Sequence, residues 1–186
     1  MSSKSRDDTH YENIFDRHVN FRERVIYLND DVDDLSLALF QKALDEMERE
    51  KDKPIKIEVS SYGGSVYDML GMVDRIRSSP CHIITRGFGK IMSAATFIVA
   101  AGDERLMGAN SWFLIHEAQD WMKGKVSELK IELEHLESLE DQCNSLYEEM
   151  SGDKTSAKQF AKMQNKECYL TAKQVLELGL IDRIIE

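Results

Sequence analysis

The chain is poor in proline, with two residues in 186, and poor in cysteine, with three. Cys81, Cys143 and Cys168 are odd in number and widely spaced, and no Cys-x-x-Cys pair occurs. That pattern argues against a disulfide framework and a zinc site, and fits a reducing compartment. No metal is therefore expected. Nor does any apolar run reach the roughly eighteen residues that a membrane span requires. The opening residues, Met1-Ser2-Ser3-Lys4-Ser5-Arg6-Asp7-Asp8, contain no apolar core, so no secretory signal is expected. An excess of basic charge is missing too. Against 34 acidic side chains stand 24 basic ones, a formal charge of −10, which disfavours nucleic acid and anionic membrane as partners. These absences together point to a cytoplasmic protein.

What is present is ordinary globular material, 42% apolar and 31% charged. A chain of this length is one domain by prior, able to bury roughly 70% of its unfolded surface. Residues 1–13 are polar and read as a mobile segment, leaving 14–186 as a single domain. Arg24 to Leu28 is a short apolar strand closed by Asn29-Asp30-Asp31. Asp33 or Asp34 caps a helix in which Leu35, Ala38, Leu39, Ala43 and Met47 recur at helical spacing. After Pro54, the alternation of Ile55, Ile57 and Val59 gives a second strand, stopping at Ser60-Ser61-Tyr62-Gly63-Gly64-Ser65. A helix is expected over Val66 to Arg77, with Tyr67, Leu70, Val73 and Ile76 on one face. Cys81 to Thr85 is a third strand. Beyond it, a turn from Gly87 to Ser93 opens an apolar run of about three helical turns, and Trp112 to Ile115 is a strand ending on His116.

Strands alternating with helices describe an α/β fold with a parallel sheet and crossover helices. In such sheets ligand sites form at the carboxyl ends of the strands. The Gly63-Gly64 turn, Ser93 and His116 all fall at expected strand ends, so they converge on one edge. After a linker, Glu117 to Lys125, a stripe runs through Val126, Leu129, Leu133, Leu136, Leu139 or Glu140, Cys143, Leu146 or Tyr147, and Met150. About 25 residues of helix span some 37 Å, more than a small domain needs. One end should project, and a projecting apolar stripe requires a partner, so a homo-oligomer is expected. Thr155 to Asn165 and Thr171 to Gly179 read as further helices, and Ile181 to Ile185 as a closing strand.

Chemistry concentrates in few residues. Ser93 at a helix start would have free backbone N–H groups beside it, that of Ala94 first, favouring developing negative charge. Spacing alone also admits, and favours, a small residue at a crowded helix start. His116 is a base within reach of that hydroxyl if the two strand ends meet, or else a core histidine tied to a carbonyl. Gly64 is either a second oxyanion donor or part of a plain tight turn. Glu167 is an orienting carboxylate or a surface charge. Neither a Walker lysine pattern nor Gly-x-Gly-x-x-Gly occurs, and no cofactor is expected.

Together these residues resemble the Clp protease proteolytic subunit family, serine peptidases with the fold also seen in crotonases. The likeness covers Arg24 to Ile185. Ser61-Tyr62-Gly63-Gly64-Ser65 stands where the family has a Pro-Gly-Gly turn, and Gly89-Lys90-Ile91-Met92-Ser93-Ala94-Ala95 where it has Gly-x-x-x-Ser-Met-Gly. Leu114-Ile115-His116 matches Met-Ile-His. Tyr169-Leu170-Thr171-Ala172 and Gly179-Leu180-Ile181-Asp182 match the segment after the catalytic acid. The resemblance implies stacked β-α-β units with a projecting handle at about 117–150, Ser93 as nucleophile, His116 as general base, and an oxyanion hole from the N–H groups of Gly64 and Ala94. It also implies two stacked heptameric rings enclosing a chamber, unfolded polypeptides as substrate, and an AAA+ unfoldase as partner.

The chain departs from the family at several points. Glu167 stands for the catalytic aspartate, one methylene longer, and Cys168 for the arginine that follows. The family's His-Gln-Pro and glycine-rich strand become His116-Glu117-Ala118-Gln119-Asp120-Trp121-Met122-Lys123-Gly124. The polar N-terminus lacks the apolar hairpin that lines the family's axial pore. Three alternatives follow: a ring subunit without turnover, a phage-type maturation protease on the same fold, and a crotonase-type acyl-CoA enzyme.

Overall fold

The computed structural model describes residues 18–119 and 121–186. The mobile segment expected at 1–13 lies outside the described residues. The chain runs β1 (Val19–Asn20), β2 (Val25–Leu28), α1 (Asp34–Met47), β3 (Ile55–Ser61), α2 (Val66–Arg77), β4 (Ile83–Met92), α3 (Ala94–Ala100), β5 (Glu104–Gly108), β6 (Trp112–Ile115), α4 (Val126–Met150), α5 (Ala157–Gln164), β7 (Cys168–Thr171), α6 (Ala172–Leu178) and β8 (Arg183–Ile185). The expected α/β class holds, with strands in the order β1-β2-β3-β4-β5-β8 and β6 and β7 joined alongside β4. Pairs β2–β3, β3–β4, β4–β5, β5–β8 and β4–β6 are parallel. Only β1–β2 and β6–β7 run antiparallel among the described residues.

Burial strictly alternates along β3, with Ile55, Ile57 and Val59 buried and Lys56, Glu58 and Ser60 partly exposed. One face of the sheet therefore carries the core, and the other carries polar contacts such as the 2.8 Å Arg86–Glu58 ion pair. Two helix ends show a local cause. Asp33 and Ser36 form a reciprocal capping box on α1, and Gly179, at φ +85°, ends α6 in the left-handed conformation that glycine adopts without strain.

Three expectations need correction. The segment from Gly87 to Ser93 is not a turn: β4 continues unbroken to Met92. Its glycines instead mark a bulge. Val59 pairs with Gly87 but Ser61 with Ile91, so four steps along β4 match two along β3, and Gly89 takes φ +66° there. The bulge lets β4 change partners, from β5 along Ile84–Gly87 to β6 along Lys90–Met92. The helix after Ser93 has seven residues, about two turns rather than three. Tyr67 is not on the buried face of α2. It is exposed, and its hydroxyl meets His135 Nε2 at 2.7 Å, while Met69, Met72, Val73 and Ile76 face the core.

The long helix α4 has the expected bounds, and its burial is divided. Val126, Ile131 and Leu133 are exposed, whereas Leu139, Cys143, Tyr147 and Met150 are buried. Its N-terminal half is thus the projecting half. Tyr147 roots the other half, stacking on Phe97 at 3.9 Å and Phe160 at 4.9 Å between ring centroids. Where α4 ends, Arg105 Nη1 donates to the Met150 carbonyl, and the same guanidinium grips Asp182 through Nε and Nη2. Partial burial pushes the Asp182 carboxyl up, but the hydrogen bonds and charge of Arg105 outweigh it and hold it below the usual carboxylate range.

A carboxylate depressed in this way stabilises the fold above its unfolded pKa, and that contribution is lost as pH falls through the folded value. Asp182→Asn is accordingly expected to weaken the fold at neutral pH and to flatten the stability loss below about pH 4. Urea midpoints across a pH series measure this. Parallel acid limbs for the two proteins would refute it.

Candidate active site

The bulged strand β4 delivers the chain into α3 through Ser93, whose backbone is left-handed at φ 54°, ψ −127°. For a residue with a side chain this is a strained conformation, worth on the order of 1–3 kcal/mol and kept only where the surroundings enforce it. Here they do. The Ser93 N–H donates to Leu114 O at 3.0 Å, continuing the β4–β6 ladder past its last pair. The Ser93 carbonyl accepts the Thr96 N–H at 3.0 Å and also the Thr96 hydroxyl. Thr96 Oγ1 in turn lies 2.5 Å from the Tyr147 hydroxyl. With its own carbonyl taking the proton from Thr96, the chain reads Tyr147 O–H to Thr96 Oγ1 to Ser93 O. Burial pushes the Tyr147 phenol well above its ordinary range, so it stays a neutral donor. The Ser93 hydroxyl makes no capping bond to its helix and remains available.

Against this turn lies the end of β3. The Gly63 carbonyl accepts the Val32 N–H at 2.8 Å and the Ser65 N–H donates to Val32 O at 2.7 Å, so Val32 grips the glycine turn from both sides. Gly63 is at φ +98° and Gly64 at φ +150°. A Cβ on Gly63 would lie 2.7 Å from Ser93 Cβ, and one on Gly64 would lie 2.2 Å from Val32 O. Only glycines let the two turns approach this closely. No acceptor for the Gly64 or Ala94 backbone N–H is found among the described residues.

His116 is the first residue past β6, half-buried. Strand register relates it to the other site residues. Met92 pairs with Leu114 in the parallel β4–β6 ladder, and Ile115 pairs with Cys168 in the antiparallel β6–β7 ladder. Continued one step, the second ladder sets Glu167 across from His116. Ser93, His116 and Glu167 thus stand at the same end of three neighbouring strands, which are spaced about 4.8 Å apart.

Side chains complete this arrangement only in part. Ser93, Ala94 and His116 line one cavity of about 40 Å³, together with Val66, Met69 and Phe97 and, from α4, Leu139, Glu140 and Cys143. Gly64 lines the adjoining cleft of about 560 Å³, between the start of α2 and the exposed half of α4. Glu167 lines neither. It is exposed, left-handed at φ 48°, and held by its N–H to Gln164 O at 3.2 Å. No hydrogen bond joins Ser93 to His116 or His116 to Glu167 among the described residues; such bonds commonly tighten only when substrate is bound.

Two polar residues that face the small cavity escaped the sequence reading. Glu140 Oε1 accepts the Ala118 N–H at 3.1 Å, fixing the chain two residues after His116. Gln164, on the last turn of α5, is 6% exposed. The signal for both was a polar residue on a buried helical stripe. Cys143, on the same wall, has its thiol pushed up to about 11 by burial and then by the charge of Glu140, so it is a neutral apolar surface.

Gly64→Ala is expected to lower stability by about 1–3 kcal/mol, because the added methyl meets backbone that cannot yield. Urea unfolding tests it. An unchanged midpoint would mean that the glycine turn is not gripped by Val32.

A model of the Clp protease family matches residues 6–186 of this chain. A Treponema denticola protein named ATP-dependent Clp protease proteolytic subunit 2 is 37% identical over 134 residues, which cover 71% of this chain and 66% of that protein. A Corynebacterium jeikeium protein named ATP-dependent Clp protease proteolytic subunit 1 is 26% identical over 188 residues, covering 100% of this chain and 97% of that protein.

Proposed function

The chain belongs to the Clp protease family, and from that premise we propose that it is a serine endopeptidase subunit with Ser93 as nucleophile. The observation that carries this reading is the strained turn at Ser93, whose free hydroxyl shares a cavity with His116. In the proposed reaction Ser93 Oγ attacks the scissile carbonyl carbon while His116 takes the hydroxyl proton. The Gly64 and Ala94 N–H groups stabilise the oxyanion that forms. The carbon–nitrogen bond then breaks, and His116 hands its proton to the leaving amine. Water, deprotonated by His116, attacks the acyl ester, releases the acid and restores Ser93. Glu167 holds the imidazole tautomer and stabilises imidazolium. Its position opposite His116 in register supports that role.

The wider assembly belongs to the same proposal. The exposed stripe of Val126, Ile131 and Leu133 on the projecting half of α4 supports contact between copies, in the family's manner two stacked heptameric rings. Within such a chamber the peptidase acts on unfolded chains delivered by an ATP-driven AAA+ partner, serving protein quality control in the cytoplasm. No helix among the described residues is long and apolar enough to cross a membrane.

A second reading has one observation in its favour. Glu167 is exposed and makes no bond to His116, as expected of a ring subunit with little turnover of its own.

Hydrolysis of fluorogenic peptides by the purified oligomer separates the two. The leading reading predicts turnover that falls at least about 10⁴-fold in Ser93→Ala and His116→Ala, and by about a thousandfold in Glu167→Ala. Turnover that persists in Ser93→Ala would refute it. An inert chain that gains activity in Glu167→Asp would establish the second.

A further inference from the structure

The proposed reaction leaves two buried hydroxyls without a role. Thr96 is the single polar residue of α3, whose seven residues are all buried. Tyr147, on α4, is equally buried, with its ring fixed between Phe97 and Phe160. The two hydroxyls meet at 2.5 Å. A polar pair inside an apolar wall costs desolvation that an alanine and a phenylalanine would avoid.

What the pair holds is the Ser93 carbonyl, which accepts both the N–H and the hydroxyl of Thr96. That carbonyl and the Ala94 N–H belong to one trans peptide unit. Such a unit is planar, and its C=O and N–H point in opposite directions. Fixing the carbonyl on one side therefore fixes the aim of the N–H on the other. The unit is held away from its preferred orientation: at φ 54° a relaxed left-handed residue takes ψ of about +47°, whereas Ser93 takes −127°. The preceding peptide is tied to β6 by the Ser93 N–H bond to Leu114 O. The rotation left open is that of the Ser93–Ala94 unit itself.

We infer that Thr96 and Tyr147 are positioning residues for the oxyanion hole: Tyr147 donates to Thr96, Thr96 donates to the Ser93 carbonyl, and the Ala94 N–H on the far side of that peptide is thereby aimed at the substrate oxygen. The inference rests on the peptidase reading. Neither side chain touches substrate. Burial pushes the Tyr147 phenol up and keeps it a neutral donor, so the direction of the chain does not change with pH in the working range. Bonds donated in series also polarise the peptide, which strengthens the Ala94 N–H as a donor. An oxyanion exists only after attack, so better aim lowers the barrier without tightening ground-state binding.

Steady-state hydrolysis of a fluorogenic peptide by the full-length oligomer tests this. Thr96→Val is expected to lower kcat about thirtyfold and Tyr147→Phe about fivefold, with KM within about twofold in both. Thr96→Ser, which keeps the hydroxyl, retains most of the kcat. Because Tyr147 acts only through Thr96, adding Tyr147→Phe to Thr96→Val lowers kcat no further. A peptide aldehyde gives a second readout: Ser93 Oγ adds to its carbonyl carbon, and the former carbonyl oxygen enters the hole. Its inhibition constant is expected to rise in proportion to the fall in kcat. Tyr147→Phe keeps both ring stacks and decides the matter should Thr96→Val not fold. An unchanged kcat in Tyr147→Phe, a loss confined to KM, or losses that multiply in the double variant would overturn the inference and leave the peptidase reading intact. An unmutated chain that hydrolyses no peptide overturns both.

Discussion

The backbone at Ser93 is the constraint on which the site depends. A long strand must become a helix within one residue, and the residue that makes the change adopts a left-handed conformation that side chains ordinarily avoid. Its N–H is fixed by β6 and its carbonyl by Thr96, which is backed by the buried Tyr147 hydroxyl. Because Tyr147 belongs to α4, the helix that projects from the domain is hydrogen-bonded, through two side chains, to the serine turn. The same geometry brings Gly63 into contact with Ser93, so the glycine turn and the serine turn are fitted as one unit. The shape of the site comes from where the backbone is forced to go rather than from any unusual side chain.

The bulge in β4 makes this possible. A regular strand would pair with β5 throughout and would carry its carboxyl end away from β6. The extra residues around Gly89 shift the pairing, so that the last part of β4 lies beside β6 and the β6–β7 ladder extends the row. Three strand ends then align with Ser93, His116 and Glu167 on adjacent positions. The acid stands apart from the other two in its environment. It immediately precedes an edge strand of four residues, is exposed, and has a backbone turned left-handed. A glutamate there has the reach that its extra methylene supplies, and it must spend conformational entropy to use it.

Much of this was legible in the sequence where local pattern and burial agree. The alternation of Ile55, Ile57 and Val59 identified β3, and the bounds of α2 and α4 followed from helical spacing and capping. The pattern failed where pairing, not periodicity, makes the structure. Glu104 to Gly108 opens with a charged pair and has no alternation, yet it forms a strand because β4 and β8 flank it. Cys168 to Thr171 is too short to declare itself and exists through β6. Gly87 and Gly89 looked like a turn because a bulge and a turn demand the same residue. Tyr67 looked buried by spacing, but α2 is rotated so that methionines fill the core, and the tyrosine crosses to His135 instead. At the site, Ser93, His116 and Gly64 are legible as residues at strand ends. Glu140 and Gln164 are polar members of buried stripes, a kind of irregularity that is easily read as a solvated edge until the cavity beside it is visible.

The proposed chemistry requires that the turn after β4 make one hydroxyl nucleophilic with the help of His116. Reaction with a fluorophosphonate, followed by peptide mapping in a mass spectrometer, tests it most directly. A single adduct on Ser93 is expected, formed by the folded chain and lost when His116 is replaced by alanine. An adduct on another residue, or equal modification of Ser93 with and without His116, would contradict it.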